Sequence, residues 1–406
     1  MGLRSRTAPL VVIMASWGFV SGINGSIAPF LAGSFGLGDA EIAHLLAWIG
    51  LASPVALVLG RQVDRIGRRR MLLACFAVLP CAAAASALAP SPVLYLLAQL
   101  VAYAVGGTLL ATVTVVVTEE LPTGERARGQ SRVGAAFALA TALPLALAAL
   151  LSGPAEGWRR VWWVATLAIL ALPWLRRRLA ETSRFTRAAA RGGRATRMLD
   201  VFQTPTRRRA LPVLGCALLV YGVEFSARTW LFYHPVRTLG LDPRRAGVVL
   251  LVCGGLGLVG FRLGGWLSDR WGRRGAFAAS SGLFALSSAG YYGLSSHAGA
   301  WTVPVLGLSL LGLSTGGNAA VVAFRSLATE LFPTRLRGTL AGWTAVCSAL
   351  GWCGAMLATS WLSDALGGIG PAVTALILVA LPAAALALAP LPETAGLDLE
   401  VAAMEG

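Results

Sequence analysis

Gly60-Arg61-Gln62-Val63-Asp64-Arg65-Ile66-Gly67-Arg68-Arg69-Arg70 is a charged turn set between two long apolar runs. It returns 205 positions later as Gly265-Trp266-Leu267-Ser268-Asp269-Arg270-Trp271-Gly272-Arg273-Arg274-Gly275, again between apolar runs. A 406-residue chain that repeats such a turn at half its length has two related halves. Gly60, Gly67, Gly265 and Gly272 permit a tight reversal and close helix approach. Asp64 and Asp269 put a carboxylate at a helix end, where it can pair with Arg65, Arg68, Arg270 or Arg273 or face the positive end of a helix dipole. A pair that forms in one state and breaks in another biases a conformational equilibrium, which makes these turns candidate gates. The plainer alternative is an arginine cluster that only sets membrane orientation.

Composition explains what surrounds the turns. The chain is 56% hydrophobic and 13% charged, with a mean hydropathy of +0.70. A soluble chain of this length needs more polar surface, so a polytopic, all-α membrane protein is expected. The net charge of +16 comes from 34 basic residues, all arginine, in short segments between apolar runs. That distribution argues against a nucleic-acid partner and for the bilayer as the partner. The six cysteines (Cys75, Cys81, Cys216, Cys253, Cys347 and Cys353) lie inside apolar runs without metal-ligand spacing and read as small core hydrophobes.

About twenty apolar residues cross the hydrocarbon core. Twelve such runs are expected, near 9–32, 42–61, 71–89, 92–118, 133–152 and 160–175, then 211–235, 246–267, 276–295, 302–326, 338–362 and 368–389. The organisation is therefore a six-helix bundle over 1–175, an arginine-rich linker over 176–209, a second bundle over 210–390 and a tail over 391–406. The linker holds eleven arginines and suits a segment lying on anionic headgroups. Alternate loops differ sharply in arginine. One side carries Arg4, Arg6, both repeated turns, the linker, Arg335 and Arg337, while the other carries Arg159, Arg160, Arg237, Arg244 and Arg245. The positive-inside rule puts the first set, and both termini, in the cytoplasm of a multi-pass cell-membrane protein.

Two further pairs link the halves. Glu119-Glu120-Leu121-Pro122 with Arg126 matches Glu330-Leu331-Phe332-Pro333 with Arg337, and Glu181-Thr182-Ser183 matches Glu393-Thr394-Ala395. With the repeated turn, these motifs resemble those of the major facilitator superfamily, and within it the sugar-porter and organic-acid proton symporter branches. The resemblance implies two six-helix bundles around a cavity with alternating access. It also implies a secondary transporter, not an enzyme, for a sugar, organic acid or related metabolite, coupled to protons. No cofactor or metal is expected, and the protein is expected to be a monomer. The alternative is a proton antiporter that exports drugs or secondary metabolites. Pro144 stands in the fifth run without the glycines that mark many such exporters.

Ionisable groups inside a membrane run are functional candidates by default. Glu224 lies near the middle of the seventh run with Arg228 four residues on, so both face one way and can neutralise each other. They form either a static packing pair or a site for a proton and an anionic substrate. The resemblance has the first, fourth, seventh and tenth runs lining the cavity. The polar residues Ser21, Asn24, Gln99, Tyr103, Tyr221 and Asn318 lie on them and are candidates either for substrate contact or for interhelical hydrogen bonds. Many relatives carry an acid in the first run and an arginine in the fourth. This chain has Asn24 and Gln99 there, which puts proton coupling in the first half in doubt.

Overall fold

The computed structural model describes residues 3–151, 157–182, 202, 207–332, 334–389 and 391–393. Without water to satisfy backbone groups, apolar runs of this length become helices. Fourteen α-helices are used below: α1 Leu3–Phe35, α2 Asp39–Ile49, α3 Ala52–Ile66, α4 Arg68–Leu88, α5 Pro92–Glu120, α6 Thr123–Leu151, α7 Trp158–Thr166, α8 Leu172–Arg178, α9 Arg207–Trp230, α10 Pro243–Leu256, α11 Gly260–Tyr292, α12 Thr302–Glu330, α13 Thr334–Leu366 and α14 Ile369–Leu388.

Ten stretches among the described residues are long and apolar enough to cross a membrane. One of them, Pro243–His297, runs for 55 residues, which at 1.5 Å per residue is about 80 Å and far exceeds one bilayer. It reverses at Gly272 (φ 79°, ψ 166°), so it supplies two crossings. Gly67 turns the chain at the matching place in the first half (φ 106°, ψ 149°). Both glycines occupy a region of backbone space that side chains exclude. The sixth expected run is helical over Trp158–Arg178, with a 3₁₀ segment over Leu167–Ala171, and is not among the ten, since arginines at both of its ends lower its hydropathy. The eighth run is likewise interrupted, by a 3₁₀ turn at Gly257–Val259.

The chain divides into two compact units, Met1–Gly38 with Trp48–Arg194, and Asp39–Ala47 with Ala195–Gly406. In the first, α1 lies against α6 along a seam of small residues. A Cβ on Gly18 or Gly22 would strike the carbonyl oxygens of Phe137 and Thr141. In the second, α9 meets α13 in the same manner, since a Cβ on Gly222 would enter the backbone of Gly351. Close backbone approach replaces the hydrophobic effect as the source of packing in lipid. Large apolar side chains such as Leu286, Leu308 and Val379 stay exposed, as suits surfaces that face acyl chains. The cysteines are free, but the expectation that they are core residues holds only for some of them. Cys75, Cys216 and Cys353 are buried, whereas Cys81 is exposed and Cys253 and Cys347 are half-buried.

Candidate functional site

The repeated motifs converge into one clamp per unit. In the first, Arg68 Nη2 donates to Glu119 Oε1 at 3.1 Å, and Thr182 Oγ1 donates to Glu119 Oε2 at 2.7 Å. The Glu181 carboxylate sits at the first turn of α4, accepting the backbone N–H groups of Arg68 (2.9 Å) and Arg69 (3.2 Å). An acid there satisfies donors that the helix itself leaves open and complements its dipole. The Arg69 side chain donates to the carbonyls of Leu179 (2.7 Å) and Arg176 (2.9 Å).

The second unit repeats this design. Arg273 Nη2 donates to Glu330 Oε1 at 3.1 Å, and its Nη1 donates to the Ser268 carbonyl (2.8 Å) and to Asp269 Oδ1 (3.0 Å). Glu393 accepts the N–H groups of Arg273 (2.8 Å) and Arg274 (3.0 Å). The φ of Gly272 requires a glycine, and a Cβ there would also lie 2.7 Å from Glu393 Oε2, so the carboxylate would have to shift.

The hub of the described clamp is therefore arginine, where the motif's aspartates stood out in sequence. The Asp269 side chain is 79% exposed, and among the described residues it pairs with Arg273 alone. Arg270 leans over the Trp266 ring, 5.5 Å from its centroid, and takes no part in the clamp. Among the described residues nothing lies within 4 Å of where a Cβ on Gly60 or Gly265 would stand, so neither shows a close helix approach there. Pro122 follows α5 and its carbonyl accepts the Glu125 N–H at 2.9 Å, starting α6. The side chains of Asp64, Arg65, Arg126 and Arg337, the whole of Pro333, most of the linker and the tail beyond 393 lie outside the described residues. Glu181 and Glu393 were visible as a matched pair, but only their placement at helix starts shows what they bind.

Two buried polar centres lie on the expected helices. In the second unit, Arg228 Nε and Nη2 donate to Glu224 Oε1 at 3.0 and 2.8 Å. Nη2 also donates to Asn318 Oδ1 at 3.2 Å, and Asn318 Nδ2 donates to the Gly257 carbonyl at 3.1 Å. The Glu224 side chain is 5% exposed and that of Arg228 is 30%. Gly317 allows this centre to fit, because a Cβ on it would stand 2.9 Å from both Arg228 Nη2 and Glu224 Oε1. Tyr221, one turn before Glu224, makes no hydrogen bond to this centre among the described residues. It packs beside Phe225 and edge-on to Phe324.

The first unit has a neutral counterpart. Asn24 Nδ2 donates to Gln99 Oε1 (2.8 Å) and to the Tyr103 hydroxyl (3.2 Å), and Tyr95 donates to Asn24 Oδ1 at 2.5 Å. Gln99 Nε2 donates to Ser86 Oγ at 2.7 Å, and the Tyr103 hydroxyl donates to the Ser21 carbonyl at 3.2 Å. Ser21 spends its own hydroxyl on the Gly18 carbonyl. The candidates Ser21, Asn24, Gln99 and Tyr103 thus hydrogen-bond to one another, with Tyr95 and Ser86 as members that the sequence did not single out. Beyond the end of α9, a π-helical turn His234–Thr238 buries His234, and that burial pushes its pKa down to about 4.

Comparison with known proteins places these features in context. The Major Facilitator Superfamily profile matches residues 10–356. The citrate-proton symporter of Salmonella typhi is 30% identical over 62% of this chain, and the match spans 62% of that protein, less than two thirds of its length. The gallate transporter of Pseudomonas putida is 28% identical, with 92% of this chain and 87% of that one covered. Among solved structures, a D-xylose-proton symporter superposes with a TM-score of 0.75 at 16% identity, covering 97% of this chain and 99% of the other.

Proposed function

The chain belongs to the major facilitator superfamily, and on that premise we propose that it carries a small carboxylate-bearing organic acid across the cell membrane together with protons, by alternating access. The observation that carries this reading is the Glu224–Arg228–Asn318 centre. A guanidinium 30% exposed beside a carboxylate 5% exposed is an anion site with its own internal counter-charge. A substrate carboxylate offers Arg228 the planar, two-oxygen partner that a guanidinium prefers. Once Arg228 turns to the substrate, Glu224 is a buried charge with no partner, which is costly. Taking up a proton removes that cost, so binding of substrate and of proton favour each other. The neutral Asn24–Gln99 network leaves the second unit as the seat of coupling. Relatives named for citrate and gallate transport support an organic acid over a sugar.

The clamps would then act as gates on the cytoplasmic face, with both termini on that side and the protein working as a monomer. The test is uptake into proteoliposomes under an imposed pH gradient, with citrate and gallate as solutes and D-xylose as comparison. Glu224→Gln is expected to abolish accumulation of the transported solute while leaving counterflow exchange. Parent-like accumulation by that variant sinks the coupling assignment, and uptake of D-xylose alone sinks the substrate class.

A further inference from the structure

A small cavity of about 10 Å³ adjoins Glu224, lined also by Ser281 and Phe284 of α11, Gly317 of α12 and three aliphatic side chains. That volume accommodates one water molecule, which needs at least two polar partners to stay in a buried site. Two are present. The Ser281 hydroxyl is buried and has no hydrogen-bond partner among the described residues. Both Arg228 bonds fall on Glu224 Oε1, so Oε2 accepts none from a described residue. An unpaired buried hydroxyl is costly, and a carboxylate oxygen that accepts nothing keeps an open lone pair. A single water resolves both.

We propose that this cavity holds an ordered water between the Glu224 carboxylate and Ser281 Oγ, and that Ser281 positions this water as the route by which Glu224 exchanges its proton. The inference rests on the coupling role of Glu224 proposed above. The water donates to the carboxylate and accepts from the serine hydroxyl. When a proton from the aqueous phase is relayed inward, the serine–water pair gains it at one end and passes one to Glu224 at the other. The carboxylate becomes a carboxylic acid, while water and serine end unchanged. This route approaches Glu224 from α11 and α12, so the proton need not pass the guanidinium that faces the substrate. Ser288, two turns further along α11, also keeps a buried hydroxyl without a partner, which extends the polar side of that helix.

The test is infrared difference spectroscopy of the full-length protein in lipid, between acidic and neutral buffer, on the parent, Glu224→Gln, Ser281→Ala and Ser281→Cys. The protonated carboxyl band that Glu224→Gln removes belongs to Glu224. In both Ser281 variants this band is expected to move to higher frequency, as a hydrogen bond to the acid is lost. Proton-driven uptake is expected to slow by about tenfold, one hydrogen bond's worth, with counterflow unchanged. A band at its parent frequency together with parent rates in both variants overturns the water site while leaving Glu224 as the coupling residue. If Glu224→Gln removes no band, the coupling reading fails and the proton route fails with it.

Discussion

Arg228 differs from the other arginines of the chain in its surroundings. It is held in an apolar run by an acid four residues back and an amide from another helix. Arg228→Ala is expected to impair both binding and accumulation, because it removes the anion contact and strands Glu224. Equilibrium binding of radiolabelled citrate or gallate checks the first, and gradient-driven uptake the second. Gly317→Ala places a methyl group against the ion pair and the Phe284 ring, and the pair must shift to admit it. Transport is expected to fall by about tenfold, the cost of one charge-assisted hydrogen bond, with folded yield unchanged by size-exclusion profile. His234 supplies a pH prediction. Its pKa drops from an ordinary 6.5 to about 4 in the fold, so the unfolded chain binds more protons between those values. Stability is full above pH 6.5 and is lost as pH falls towards 4. Thermal unfolding at pH 7.5 and 4.5 should show this loss in the parent and a smaller one in His234→Gln. The Glu224–Arg228 pair was legible because a four-residue spacing fixes which side chains share a face. Gly317 and Ser281 were not, since a glycine and a serine in an apolar run look alike whether they face lipid or a charge.

At the level of elements, the arginine-rich turns are where the two halves repeat most closely. Each unit closes an arginine from the turn onto a glutamate at the end of its fourth crossing and a glutamate after its sixth. Gly272→Ala should cost about 1–3 kcal/mol through its backbone region alone, with the Glu393 contact adding to that. A drop in melting temperature in detergent reads it. Arg273→Gln should slow turnover far more than Asp269→Asn, because the Arg273 side chain joins three partners and that of Asp269 joins one. Equal turnover in the two variants would remove the hub assignment. Matched spacing made the three motif pairs legible. Their convergence was not, because sequence offsets say which segments correspond and nothing about which side chains meet. The aspartate stood out in sequence as the lone acid in a basic turn, yet in space the Asp269 side chain is far more exposed than that of Glu330.

For the whole molecule, the periodic apolar runs made the count of crossings readable, and the interruptions were the part that sequence hid. A 3₁₀ segment at Leu167–Ala171 and another at Gly257–Val259 change the helix pitch without any charged residue to announce them. Orientation rests on arginine asymmetry, and labelling tests it. In a background lacking the six native cysteines, Arg70→Cys and Arg270→Cys should both be shielded from an impermeant maleimide in intact cells. Arg160→Cys should react. Opposite outcomes at positions 70 and 270 would break the two-fold reading of the chain.

Glu393 lies almost at the end of the described chain and yet fastens a turn 120 residues before it. Its neighbour across the contact, Gly272, is preceded by Trp271, a residue 57% exposed. Indole quenches small fluorophores on contact. A dye attached at Pro392→Cys would therefore be dim while the carboxylate holds the turn and bright once it lets go. The tail is thus a ready optical indicator, one that reports through emitted light how long the fastening lasts in a working cycle.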